Sequence, residues 1–275
     1  LMMLQNAELQ IHAAWLSWLQ TPSGHYLSDW LQKRLDFMLA DEFGYFAVQC
    51  GMPSLDGLRN NRMSHRILLQ YPVIDPSLAL EQLADKEDAT VPEREPVNEQ
   101  PRRHPGIWVD AFAELPLASG SVDLLLLPHV LEFSPDPHAI LREAYRVLRA
   151  EGRLVVAGLN PWSLWGLREM ALGSWFGNRL PPECHMIALG RLRDWMVLLE
   201  FEMDRGRFGC YRPMCDSDMW LKRWAWAEAA GDRWWPICGA SYLIGAVKRS
   251  KSMRWVGLVP GERRAMFGRP QAARI

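Results

Sequence analysis

The sequence has no run of roughly 18 consecutive apolar residues, the length a membrane-spanning helix needs, so no transmembrane segment is expected. Neither sign of charge dominates. Lys and Arg total 31 against 32 Asp and Glu, a formal net charge of -1, so no global field favours nucleic acid or a membrane surface. The first residues lack a basic start followed by an apolar core and a small-residue cleavage site, and no secretory signal is expected. Cysteine is scarce. The five residues, Cys50, Cys184, Cys210, Cys215 and Cys238, form no Cys-x-x-Cys pair and are odd in number. This speaks against a zinc site or a disulfide framework and for reduced thiols in a cytoplasmic setting. No internal repeat is present, and no metal site is expected.

What is there suffices for one large domain with appendages: 275 residues, 49% of them hydrophobic. Ile11, Trp15, Trp18 and Leu19 recur at helical spacing until "TPSG" at 21–24 breaks the run. Leu27, Trp30, Leu31, Leu35, Met38 and Leu39 mark a second amphipathic helix. "YFAVQCG" (45–51) reads as a buried strand and turn, and a second short run follows from Arg66 to about Ile74. Residues 85–105, rich in charge and proline, cannot bury enough apolar surface to fold alone and read as a disordered or surface insertion.

Beyond the insertion the pattern is strand, turn, strand, helix, strand. "GIWVDA" (106–111) is a strand, and "VDLLLLPH" (122–129) is apolar enough for a central strand buried on both faces. The next helix is punctuated by Asp136 as N-cap, Pro137 at its first position and Gly152 beyond its end. "RLVVAGLN" (153–160), a helix at about 189–199, "FEMDRGRFGCYRP" (201–213) and a last strand "SYLIGAVKR" (241–249) complete the series. Such alternation predicts a three-layer α/β fold. Ligands of open sheets of this kind bind at the carboxyl ends of the strands. Asp110 and His129 are therefore expected on neighbouring strands, facing one crevice.

The stretch from Val109 to Pro161 resembles the second half of a class I S-adenosylmethionine-dependent methyltransferase of the type 11 group. The matching residues are Asp110, Leu115–Pro116, Ser121–Asp123, His129, Leu131–Glu132, Asp136–Pro137, Leu141, Glu143, Arg146–Val147–Leu148, Gly152 and Asn160–Pro161. The whole chain is also similar to a bacterial subgroup of uncharacterised methyltransferase-like proteins, with "SLWGLR" after the fifth strand and a Trp-rich stretch before the seventh. The resemblance implies a Rossmann-like three-layer sandwich with a mostly parallel seven-stranded sheet, and S-adenosylmethionine as cofactor. It implies Asp110 beside the adenine amine, the Ala111 N–H on a ring nitrogen, His129 near the methionine part and the methyl acceptor, and Asn160 at the rim.

The family's first loop is Gly-x-Gly-x-Gly after a strand ending in an acid. Here Gly51 holds the first glycine position, Gln49 stands where the acid is expected, and Pro53 and Leu55 replace later flexible positions. The ribose-binding acid is replaced by Gln70 if the second strand ends at "RILLQ", or is Asp75 if it continues through "YPVIDPS".

Each of these residues also has a plainer reading. Asp110 is an adenine ligand or a turn former. His129 is a general base or a packing residue beside the cofactor. Glu132 is a rim charge or a catalytic group, Asp123 lies at the strand end away from the crevice, and Asp136 is a cap. "NPW" (160–162) follows the fifth strand, which separates it from the Asn-Pro-Pro-aromatic motif of amino-group methyltransferases.

The segment 219–235 is either a helical cover packed by aromatics or an interfacial helix on a membrane. The tail from Lys248, with eight Lys/Arg and one Glu, is solubilising or touches RNA or anionic lipid. The expected organisation is a helical cover over 1–44, a methyltransferase-like domain over 45–249 and a basic tail over 250–275. The expected function is methyl transfer to a small-molecule acceptor, apolar if the Trp-rich segment is its lid. The alternative is a catalytically degenerate binding or regulatory module. The sequence carries no strong nucleic-acid signal and no reading of oligomeric state.

Overall fold

In the computed structural model, residues 2–71, 105–176, 180–181, 184–215 and 217–249 are described. Asp75, nearly all of the 85–105 insertion and the tail over 250–275 lie outside them. Two helices, α1 (Met2–Leu19) and α2 (Pro22–Leu39), precede strands β1 (Phe46–Cys50), β2 (His65–Gln70), β3 (Gly106–Trp108) and β4 (Val122–Pro128). Helix α3 (Pro137–Val147), strand β5 (Leu148–Leu159), helices α4 (Leu164–Phe176) and α5 (Leu189–Leu198) and strand β6 (Phe201–Gly209) follow. Helices α6 (Asp218–Arg223) and α7 (Trp226–Trp234) lead to the last strand, β7 (Ser241–Lys248).

The strands form one sheet in the order β3-β2-β1-β4-β5-β7-β6. β1 to β5 run parallel, and β7 is antiparallel to both of its neighbours. The Rossmann-like, mostly parallel sandwich expected from the sequence is the fold observed. β4 lies at the centre, and every one of its residues is buried. Leu124 and Leu126 pack with Trp15, Leu27, Leu31 and Leu35 of α1 and α2 on one face. Leu125 and Leu127 pack with Ile140, Leu141 and Ala144 of α3 and Leu192 of α5 on the other. The two-residue period of a strand thus feeds two apolar layers, which is why this strand carries no polar alternation.

Local punctuation works as read at the start of α3, and the break at "TPSG" also supplies a cap to α2. Thr21 accepts the Gly24 N–H at 3.2 Å ahead of Pro22, and Asp136 Oδ1 accepts the Ala139 N–H at 3.0 Å ahead of Pro137.

Two expectations are corrected. The strands carrying Asp110 and His129 are not neighbours, because β2 and β1 stand between β3 and β4. The two run parallel, so no tight turn can join them. Residues 109–121 instead cross back over the sheet, burying Phe112 and Leu115 on the way. Nor does Gly152 terminate α3. The helix passes straight into β5 at Leu148, and Gly152 lies inside a register shift between β4 and β5, preceded by Glu151 at φ 62°.

Candidate functional site

The carboxyl ends of β1, β2 and β4 meet around Gly51. This residue has φ +74°, a left-handed conformation that favours glycine, and its N–H donates to Leu69 O at 2.7 Å. A Cβ there would meet Val130 Cγ2 at 3.2 Å, Phe112 Cε2 at 3.6 Å and His12 Nε2 at 3.7 Å. Residues 51–64 make turns and no helix on the way to β2.

Gln49 explains how that loop holds its shape. Its Nε2 donates to the carbonyls of Gly51, Met52 and Leu55 at 3.3, 3.2 and 2.8 Å, and its Oε1 accepts the Gly57 N–H at 3.0 Å. An ionised acid could not donate any of the first three bonds, which gives a physical reason for an amide at this position. Both ends of the side chain are therefore engaged with loop backbone.

Gln70, at the end of β2, is 4% exposed, and its Oε1 has no hydrogen-bond partner among the described residues. Its carbonyl accepts the Val109 N–H at 3.0 Å, tying β2 to the segment that carries Asp110. Asp110 is exposed and Ala111 half-buried at the start of the turn beyond β3. That turn is fixed from α3. Glu143 Oε1 accepts the Leu115 N–H at 2.8 Å, while Arg146 Nη2 donates to Leu115 O and Leu117 O at 3.2 and 2.9 Å. The Arg146 guanidinium, with the Leu115 N–H, holds the Glu143 carboxyl below its ordinary range. Much of the type 11 motif is accordingly scaffold for this turn.

His129 follows β4 with φ 53°, a conformation uncommon for a residue with a side chain, and its ring is fully buried. Nδ1 lies 3.0 Å from Glu132 Oε1, which also accepts the Leu159 N–H at 2.6 Å. Glu132 is wholly buried, which corrects its reading as a rim charge. The pair fixes the imidazole, and among the described residues neither Nε2 nor Glu132 Oε2 has a hydrogen-bond partner. Asn160, at the end of β5, donates from Nδ2 to Ile237 O and Gly239 O at 2.8 and 3.0 Å and is 3% exposed.

The residues missed at the sequence level come from α1. His12 lies against Tyr71 (ring centroids 4.6 Å apart) and near Phe112 (6.1 Å). Trp15 lies 5.3 Å from the His129 ring and 4.7 Å from Phe133. Both are buried, and among the described residues neither His12 Nε2 nor Trp15 Nε1 has a hydrogen-bond partner. Burial lowers the His12 pKa to about 4. With Met52 and His129 each 1% exposed, α1 occupies the space between the strand ends. Spacing could have flagged His12, which precedes Trp15 by three residues on one helix face, but a lone His in an apolar helix carries no further signal.

Residues 64–156 match the type 11 family described as a methyltransferase domain. Over that segment the chain is similar to methyltransferase domains of that type. An Escherichia coli (strain K12) protein, YafS, is 45% identical over 89 residues, 32% of this chain and 36% of YafS. A malonyl-[acyl-carrier protein] O-methyltransferase of Laribacter hongkongensis is 39% identical over 71 residues, 26% of this chain and 24% of the relative. The chain thus spans about a third or less of the length of the curated relatives it matches.

A Haloferax volcanii methyltransferase, solved in complex with the Trm112 methyltransferase activator, shares the fold with a TM-score of 0.56 at 14% identity, covering 88% of this chain and 99% of that one. A SAM-dependent methyltransferase from Thermotoga maritima does so with a TM-score of 0.50 at 16% identity, covering 86% of this chain and 100% of that one.

Proposed function

We propose that the chain transfers a methyl group from S-adenosylmethionine to a small-molecule acceptor. The supporting observation is the pair of buried polar atoms, Gln70 Oε1 and His129 Nε2, without hydrogen-bond partners among the described residues, at the ends of β2 and β4 on either side of β1 and its left-handed Gly51. Unsatisfied buried polar atoms are costly, and a polar ligand relieves that cost. These groups suit a nucleoside-bearing cofactor. Gln70 can accept from a ribose hydroxyl, Asp110 from an exocyclic amine, and the Ala111 N–H can donate to a ring nitrogen.

The fit requires α1 to withdraw His12 and Trp15, since both fill the crevice. S-adenosylmethionine supplies a methyl group on sulfonium, already electrophilic. The protein's part is then alignment and exclusion of water. Glu132 Oε1 holds Nδ1 of His129, and Nε2 is the atom that would take a proton from the acceptor. Trp15 would return over the crevice to keep water out.

A second reading, a methyltransferase-like binding module without catalysis, is favoured by that same packing of His12 and Trp15 and by the helix-free loop over 51–64. Calorimetric titration with S-adenosylhomocysteine separates the two, using the intact chain, Asp110→Ala and His12→Ala. Micromolar binding, weakened by Asp110→Ala and tightened by His12→Ala, is expected for the enzyme. Absence of binding up to millimolar ligand in all three forms would leave the binding module.

A further inference from the structure

Two connections leave the carboxyl end of the sheet on the β5–β6 side: residues 160–176 after β5, and residues 210–240 between β6 and β7. Their helices are built inside out. α7 turns small or polar groups inward: Gly231 is buried and Ala227 and Glu228 are half-buried, while Trp226 and Trp234 are 61% and 70% exposed. A Cβ on Gly231 would fall 2.2 Å from Tyr211 Cγ, so this inner face is closely packed and cannot simply roll over. Glu228 anchors it, accepting from the Tyr26 hydroxyl and from the Cys210 and Tyr211 N–H groups. α4 buries Trp165 but exposes Leu164, Leu167 and Met170, three residues apart along one stripe. Trp162, Trp220, Trp235 and Ile237 extend the apolar surface. The helices cover this end of the sheet, but their aromatics face solvent, which corrects the expectation of an aromatic-packed cover.

Soluble helices point their apolar stripe at the core, so reversed polarity on two separate connections marks a docking face. Indoles set among cations suit the headgroup layer of a bilayer, where an apolar ring and a polar N–H are both satisfied. Lys222, Arg223 and Arg233 are exposed among these tryptophans, with the Arg223 guanidinium 5.5 Å from the Trp220 ring centroid. Asp232 is exposed beside them and Asp218 opens α6, but Glu228 is turned inward. A second copy docked on this face by two-fold symmetry would bring these cations towards their own counterparts, whereas lipid phosphates would pair with them.

We propose that this Trp-rich face docks on an anionic lipid bilayer. The crevice lies at the same end of the sheet, so docking turns it towards the membrane. If the methyl-transfer reading holds, the acceptor class is then an apolar molecule resident in the bilayer.

The test is flotation of the intact protein with phosphatidylcholine vesicles, alone or mixed with an equal part of phosphatidylglycerol. No cofactor is present, so the result stands apart from methyl transfer. Co-flotation with the mixed vesicles is expected, at least tenfold above phosphatidylcholine alone, with a blue shift of Trp emission. Trp234→Ser combined with Trp235→Ser, and separately Trp220→Ser combined with Trp226→Ser, should each reduce it at least fivefold. Their far-ultraviolet circular dichroism should match that of the intact protein.

No flotation of the intact protein would overturn the proposal. So would full retention in both variants, which would assign binding to the basic sequence after Lys248. Self-association abolished by the same substitutions, without vesicle binding, would overturn it in favour of a second copy.

Discussion

Strand β4 carries a buried acid at its beginning and another just beyond its end, and the two are treated oppositely. Asp123 Oδ2 accepts the N–H groups of Tyr45 and Phe46 at 2.6 and 2.9 Å, and Arg149 Nε lies 2.5 Å from Oδ1 in an ion pair. Glu132 is no more exposed, yet it spends Oε1 on His129 and Leu159 and leaves Oε2 without a hydrogen-bond partner among the described residues. Burial alone does not separate scaffold from site, since both acids are buried. The kind of partner does. Asp123 Oδ1 also lacks a hydrogen bond but is ion-paired to Arg149, and this acid holds the chain's entry into β1, whereas Glu132 orients an imidazole whose other nitrogen has no hydrogen-bond partner among the described residues.

Three measurements would break or sharpen this contrast. The largest effect is expected from Asp123→Ala, which strands the part-buried Tyr45 and Phe46 N–H groups and removes the partner of Arg149. Chemical denaturation should register a loss of about 3–5 kcal/mol, with S-adenosylhomocysteine affinity unchanged in the folded fraction.

Next comes the pH dependence of α1. Burial lowers the His12 pKa from 6.5 to about 4, so the docked form binds fewer protons than the released form between those values. Docking is therefore fully supported above pH 6.5, weakens as pH falls, and has lost about 3 kcal/mol by pH 4. Hydrogen-exchange protection factors along α1, taken against the intrinsic exchange rate at each pH, should fall between pH 7.5 and 5, and His12→Ala should flatten that dependence. An unchanged slope in the variant would assign the effect to another group.

The smallest effect is expected from Glu132→Ala, at about 2 kcal/mol, because it strands the Leu159 N–H and frees the imidazole. Nitrogen-15 spectra should show the His129 ring losing its fixed tautomer. A fixed tautomer in the variant would remove Glu132 from the positioning role.

Particular residues show how much was legible beforehand. The break at "TPSG", the cap at Asp136, the doubly buried β4 and the class of fold follow from local pattern. Gly51 was found because a left-handed turn after a strand calls for glycine. His129 and Gln70, the latter as an alternative to Asp75, are singled out through resemblance, and both lie at strand ends. His12 was not, because nothing local distinguishes it from any residue on an apolar helix face. The distance between Asp110 and His129 along the sheet was misjudged for the same kind of reason. Sequence neighbours were taken for sheet neighbours, although two parallel strands joined by a crossover can lie any number of strands apart.

The sequence by itself determined the alternation of helix and strand and the punctuation of several elements, because side-chain periodicity and capping act over a few residues, and it carries the resemblance to type 11 methyltransferases. The tertiary structure decided the strand order, which polar atoms lack partners, the filling of the crevice by α1 and the outward turn of the tryptophans. Those depend on contacts such as Asn160 with Ile237 or Tyr26 with Glu228, between segments far apart in the chain. No local pattern encodes which distant segment supplies the partner.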